Sequence, residues 1–131
     1  MKKIDITCII DDDPIFVFGA KKIMQLGNFC NSFMVFHKGE EAINKLRPII
    51  LANAKVPDII LLDLNMPVMD GWQFLDEFIK IPSRKEILIY IVSSSIDPQD
   101  VERAKSYDHI SNYLVKPISI EELQKILQKE H

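Results

Sequence analysis

Residues 59–63, Ile-Ile-Leu-Leu-Asp, constrain this chain more than any other stretch. Four consecutive apolar residues, Ile59 to Leu62, leave no polar face, so the segment reads as a short strand buried on both sides. Such a strand needs helices above and below it, as in a parallel α/β sheet. The run ends on a carboxylate, Asp63, after which Leu64-Asn65-Met66-Pro67-Val68-Met69-Asp70-Gly71 turns the chain into a helix. Ligands of open α/β sheets bind in the crevice outside the carboxyl ends of the strands. Asp63 therefore marks the candidate site.

The flanking sequence repeats that alternation. Ile4 to Ile10 reads as a first strand, ending in Asp11-Asp12-Asp13. Pro14 suits the first position of a helix, where its missing N–H has no partner to lose, and Asp13 is then the N-cap. Phe16, Ala20, Ile23 and Gly27 follow at helical spacing, and Gly27-Asn28 is a stop. Ser32 to Phe36 is the second strand, with Cys30 in the preceding turn. The second helix buries Ala42, Ile43, Leu46 and Ile50, and Pro48 is expected to kink or end it. Asp70 caps a third helix that turns Trp72, Leu75, Phe78 and Ile79 inward, Phe74 also being core. Ile87 to Val92 is the fourth strand, running into Ser93-Ser94-Ser95. Asp97-Pro98 repeats the cap-plus-proline start for a fourth helix with only Val101 and Ala104 as core residues. That makes it the most exposed helix. Ile110 to Val115 is the fifth strand. Ser119-Ile120-Glu121-Glu122 is a capping box, with Ile118 and Leu123 as its hydrophobic staple. Leu123, Ile126 and Leu127 form the last buried stripe.

Five β–α units of this size predict a flavodoxin-like, doubly wound five-stranded parallel sheet of order 2-1-3-4-5 with five helices. At 131 residues the chain is read as one domain, 1–131, long enough for a substantial core. A net charge of −3 gives no basic surface for direct nucleic-acid contact. The basic start Met1-Lys2-Lys3 lacks a cleavage site, and no apolar run approaches the roughly 20 residues of a membrane span. Cys8 and Cys30 stand apart, outside any metal or disulfide pattern, which fits the reducing cytoplasm.

Polar residues collect where the strands end. The first strand delivers Asp11 and Asp12, the third Asp63, the fourth Ser93 and the fifth Lys116. Three converging carboxylates repel one another unless a cation holds them. A small set of hard oxygen donors with positions left for water and phosphate suits Mg²⁺. A nearby lysine and hydroxyl can then meet phosphoryl oxygens.

Ile10-Asp11-Asp12-Asp13-Pro14, Leu62-Asp63 with Met66-Pro67-Val68-Met69-Asp70-Gly71, Val92-Ser93 and Tyr113-Leu114-Val115-Lys116-Pro117 stand in order at strand ends. Together they resemble the motif set of response-regulator receiver domains, the phosphoacceptor half of two-component signalling, over Ile4 to Leu127. The resemblance implies that Asp63 takes a phosphoryl group from a phosphohistidine. It implies Mg²⁺ as cofactor, ligated by Asp12, Asp63 and the Asn65 carbonyl, with Asp11 acting through water and Lys116. Ser93 and Lys116 would bind the phosphoryl oxygens, and Ser95 would tune water access. Tyr113 would be the switch aromatic, and Lys116-Pro117 a cis peptide. The implied partners are a sensor histidine kinase or histidine phosphotransfer protein and an unidentified downstream effector, reached through the fourth helix, fifth strand and fifth helix. The chain is expected to act as a stand-alone receiver, a signalling switch that catalyses only its own phosphorylation and dephosphorylation.

Two departures stand out. The link between the second helix and third strand is long and contains Pro48, and Tyr107-Asp108-His109 replaces the small residues that usually precede the fifth strand. Two other functional classes are weighed. A haloacid-dehalogenase-type phosphohydrolase needs a second acid two residues after its nucleophile, and Asn65 stands there with no cap insertion elsewhere. A receiver-like module that never sees phosphate usually lacks an acid or the lysine, and all are present. His37, His109 and His131 have no partner in the sequence and receive no role, and Ser94 is read as a turn residue.

Overall fold

The computed structural model describes residues 4–94, 96–119 and 121–125. Its elements are β1 (Ile4–Ile10), α1 (Pro14–Leu26), β2 (Cys30–Phe36), α2 (Gly39–Ala52), β3 (Ile59–Asp63), α3 (Gly71–Phe78), β4 (Leu88–Ser93), α4 (Pro98–Lys105) and β5 (Ile110–Val115). Residues 121–125 are helical and open α5. All strands pair in parallel, in the order β2-β1-β3-β4-β5. This is the expected flavodoxin-like sheet with β3 at its centre. Among the described residues no helix is long and apolar enough to cross a membrane.

The sheet is covered on both faces, and β3 shows why its sequence has no polar side. Ile60 and Leu62 join a core with residues of α2, α3 and α4, while Ile59 and Leu61 join a second core with residues of α1 and Leu123. Each of these four side chains is at most 1% exposed. Burying an aliphatic side chain of this size contributes about 1.5–3 kcal/mol, so a polar residue at either parity would cost one of the two cores.

The caps follow the sequence closely. Asp13 accepts from the Ile15 N–H at 3.0 Å, Asp97 from Gln99 at 2.9 Å, and Ser119 Oγ from Glu122 at 3.0 Å. Asp70 does more than expected, since Gln73 reaches back to its N–H at 2.9 Å and completes a capping box.

Four readings need correction. Of the kink or stop expected at Pro48, the stop does not occur, since α2 continues to Ala52. Both Pro48 and Asn44, whose carbonyl loses the helical donor, lie on the exposed face, where water can serve that carbonyl. The long link is thus mostly helix, closed by left-handed Asn53 (φ 52°) and Lys55 (φ 56°). β2 begins at Cys30, because Ile4 of β1 pairs with it, and its polar residues Asn31 and Ser32 are exposed on a strand at the sheet edge. β4 begins at Leu88 rather than Ile87. Ile79 is 40% exposed rather than inward: it is the C-cap of α3, its N–H still bonded to the Leu75 carbonyl, at the end of the helix where solvent reaches it. Ser95, Ile126 and Leu127 lie outside the described residues.

Helix α4 buries Ala104 fully and Val101 partly, as its composition predicts. It is nonetheless fastened to α3 by its polar and aromatic edge. Trp72 donates from Nε1 to Asp100 Oδ1 at 3.2 Å and stacks on Tyr107 with centroids 5.7 Å apart. The Arg103 guanidinium lies 4.7 Å from the Trp72 ring, and Tyr107 donates its hydroxyl to Asp76 at 2.9 Å. Tyr107, noted in the sequence only as a departure, is part of this clasp.

Candidate functional site

The carboxyl ends of β1, β3, β4 and β5 bring together Asp11, Asp12, Asp63, Ser93 and Lys116. β3 delivers Asp63 as its last residue, 4% exposed. α3 must begin directly behind it, and there the chain uses Gly71. A Cβ at that position would stand 2.7 Å from the Asp63 carbonyl oxygen and 2.8 Å from Leu64 Cα, closer than real contacts allow. The intervening loop closes a tight turn in which Met69 N–H donates to the Pro67 carbonyl at 2.8 Å and Val68 adopts φ 69°. A β-branched residue at positive φ is strained, and this one stands in the loop between Asp63 and α3.

Asp11, Asp12 and Asp63 each offer a carboxylate oxygen within 4.8 Å of the others. Asp11 is 1% exposed, its backbone N–H held by the Phe36 carbonyl at 3.0 Å and its Oδ1 accepting from Asp13 N–H at 2.9 Å. Asp12 is exposed. Lys116 Nζ lies 2.8 Å from Asp11 Oδ2 and 3.9 Å from Asp63 Oδ1. The Lys116–Pro117 peptide is cis. Ser93 is fully buried, and its hydroxyl accepts from Asn65 Nδ2 at 3.1 Å. Asn65 also donates its backbone N–H to Asp63 Oδ1 at 3.2 Å. Its side chain, to which the sequence assigned nothing, thus joins the β3 end to the β4 end.

Electrostatically the cluster is short of positive charge. Burial pushes the Asp63 carboxyl up to about 7, the charge of Asp11 adds to the rise, and the Asn65 N–H and Lys116 only partly oppose it. Burial also raises Asp11, although Lys116 opposes the rise by hydrogen bond and charge. Three oxygens this close, with two of the acids reluctant to ionise, form a donor set that a small hard cation would satisfy. The residues fit Mg²⁺.

Tyr113 is half-buried on β5 and packs against the core beneath α2, α3 and α4. It pairs with Ile91, whereas Val115 is the residue beside Ser93. Two neighbours of the site escaped the sequence reading. His37 places Nδ1 3.2 Å from the Asp11 carbonyl, positioned to donate to it. The Phe16 ring lies with its centroid 4.6 Å from Lys116 Nζ. Phe16 was legible as a helix-face residue, but nothing local ties it to a lysine a hundred residues away.

A family model described as the response regulator receiver domain matches residues 7–128. The crystal structure of a two-component response regulator from Cytophaga hutchinsonii superposes with a TM-score of 0.86 at 32% identity, covering 98% of this chain and 97% of that one. The phosphorylated cyanobacterial phytochrome response regulator RcpA superposes with a TM-score of 0.76 at 29% identity, covering 96% of this chain and 90% of that one. The nitrate/nitrite response regulator protein NarL of Escherichia coli is 30% identical over 121 residues, 92% of this chain but 52% of that protein. The chain therefore spans about half the length of that relative.

Proposed function

The chain belongs to the response regulator receiver family, whose members are phosphoacceptor signalling switches, and from that premise we propose that Asp63 is its phosphoacceptor. The observation that carries this is a nearly buried carboxylate at the end of the central strand, with two further acids within 4.8 Å and an ammonium 3.9 Å away. An Asp63 oxygen attacks the phosphorus of a phosphohistidine, the P–N bond breaks, an O–P bond forms, and the imidazole leaves with the bonding pair. Water later attacks phosphorus, restoring the carboxylate and releasing inorganic phosphate. Lys116 and Ser93 meet the phosphoryl oxygens. Asp11, Asp12, Asp63 and the Asn65 carbonyl would hold Mg²⁺, which when bound supplies the positive charge that lets Asp63 ionise and offsets the phosphoryl oxygens.

The donor is a sensor histidine kinase or histidine phosphotransfer protein, and the output is read by an effector protein in the cytoplasm. Two free, buried cysteines support the reducing compartment. The phosphatase alternative finds no support at residue 65, since Asn65 is engaged with Ser93 and carries no acid. The RcpA relative is described in its phosphorylated form, which supports the same chemistry here. The test is mass spectrometry after incubation with acetyl phosphate. One phosphoryl group should add in the presence of Mg²⁺ and not with a chelator, and Asp12→Ala should stay folded while losing that Mg²⁺-dependent phosphorylation. Magnesium-independent labelling of the wild type would overturn the reading.

Output runs through α4, β5 and α5. Ser93, whose oxygen accepts from Asn65, donates its hydroxyl hydrogen to a phosphoryl oxygen, and Tyr113, opposite Ile91 on β5, turns inward. The differential contact supplies the bias between two states. Hydrogen exchange with and without beryllium fluoride should change across residues 94 to 116. Changes confined to the Asp63 loop would reduce the chain to a passive phosphate carrier.

A further inference from the structure

Lys116 is asked to stand in one place, and its own bonds do not explain how it does so. A lysine ends in a compact ammonium on a flexible four-carbon stem, able to reach many points around a cluster of acids. Here it is 16% exposed, bonded to Asp11 at 2.8 Å, and stops 3.9 Å short of Asp63. On its remaining side it meets the Phe16 ring, centroid 4.6 Å from Nζ. The face of a benzene ring carries negative potential and attracts a cation, most strongly where water is excluded.

Phe16 is placed there by the start of α1. Asp13 caps the helix and Pro14 occupies its first turn. That register sends Val17 into the core, leaves Ile15 82% exposed, and turns Phe16 half-inward to line the cleft with Lys116, Pro117 and Ile118. The same helix contains an internal contrast. Phe18 is 66% exposed and its ring lies 6.0 Å from Lys22 Nζ, a solvated pair at the limit of the interaction.

We propose that Phe16 is a positioning residue for phosphoryl transfer, its ring face holding the Lys116 ammonium between Asp11 and Asp63. This rests on Asp63 being the phosphoacceptor. An ammonium locked onto Asp63 would neutralise the nucleophile, and one free in solvent would arrive late at the phosphoryl oxygens. Held at the ring, it faces both carboxylates from a fixed point and is in place for the incoming phosphoryl oxygens.

The test removes the ring's potential while keeping its shape. Mono-, di- and trifluorinated phenylalanines are incorporated at position 16, and the initial rate of phosphorylation by acetyl phosphate with Mg²⁺ is measured by mass. The rate should fall stepwise with fluorination, by about 3- to 10-fold at the trifluoro ring. Phe16→Leu should fall at least as far, Phe16→Tyr should stay close to wild type, and thermal midpoints of the fluorinated proteins should be unchanged. The same series at Phe18 should be flat. A flat series at position 16 in a chain that is phosphorylated on Asp63 would overturn the role of Phe16 alone. A wild-type chain that takes no phosphoryl group would overturn this role and the phosphoacceptor assignment together.

Discussion

Asp58 and Asp63 bracket the same strand, and their surroundings are opposite. Asp58, just before β3, accepts from the N–H groups of Asp5 at 2.7 Å and Ile6 at 3.0 Å, and Lys85 Nζ lies 2.6 Å from its other oxygen. Its own N–H donates to the Ile6 carbonyl, and its carbonyl accepts from Leu88. One residue thereby ties together the starts of β1, β3 and β4. Burial alone would raise its carboxyl, but these donors and the Lys85 charge outweigh that and leave it below the usual range. Asp63, at the other end, has one backbone donor and an ammonium at a distance, and sits at about 7. The amino end of the sheet uses its carboxylate to fix strand register. The carboxyl end leaves one short of donors, and that deficit can be met from outside by a cation.

The sharpest way to break this contrast is to neutralise each acid in turn. Asp63→Asn should abolish phosphorylation by acetyl phosphate, whereas Asp58→Asn should be phosphorylated at the wild-type rate. Equal loss in both would mean that the two ends are not chemically separate.

Stability should respond with opposite signs. In chelator at pH 8, Asp63→Asn should be more stable than wild type by about 1–4 kcal/mol, since it removes a buried charge held above its ordinary range. Asp58→Ala should lose about 1.5–3 kcal/mol, because it strips charged hydrogen bonds from Lys85 and two N–H groups. The pH windows differ too. A raised carboxylate leaves stability intact below its unfolded value near 4 and erodes it as pH rises toward 7. The gain in Asp63→Asn should therefore open over that interval. The depressed Asp58 carboxyl contributes above its unfolded value and is lost as pH falls through its folded one, so the cost of Asp58→Ala should shrink in acid. Urea unfolding from pH 3 to 8 reads both curves, and parallel curves would refute the contrast.

The carboxyl end was legible in the sequence and the amino end was not, for a physical reason. Asp11, Asp12, Asp63, Ser93 and Lys116 each follow an apolar strand directly, so strand periodicity places them at the same edge. Asp58 also adjoins β3, but its partners Ile6 and Lys85 lie 52 and 27 residues away and belong to no local pattern. Phe16 and Lys116 share that difficulty. Pro48 misled because its local cost is real, yet the tertiary burial of Ala42, Ile43, Leu46 and Ile50 holds α2 together through it. Gln73 was readable as the fourth residue of Asp70-Gly71-Trp72-Gln73 and completes a box that the cap alone did not announce.

The smallest effect tests where the contrast has its boundary. Asp13 stands at the carboxyl end beside Asp11 and Asp12, so position alone would enrol it in the acid cluster. Its hydrogen bonds place it with Asp58 instead. Its side chain accepts from the Ile15 N–H at 3.0 Å, its N–H donates to Asp11, and its carbonyl accepts from Val17 as the first link of α1. An N-cap aspartate satisfies a helix donor that has no partner within the helix, and replacing it by alanine costs about 0.5–2 kcal/mol. Asp13→Ala should show that loss in urea unfolding with Mg²⁺ affinity unchanged, because the backbone N–H that serves Asp11 remains. A several-fold loss of Mg²⁺ affinity without loss of stability would move Asp13 into the cluster. The division would then follow position along the strands rather than the supply of donors.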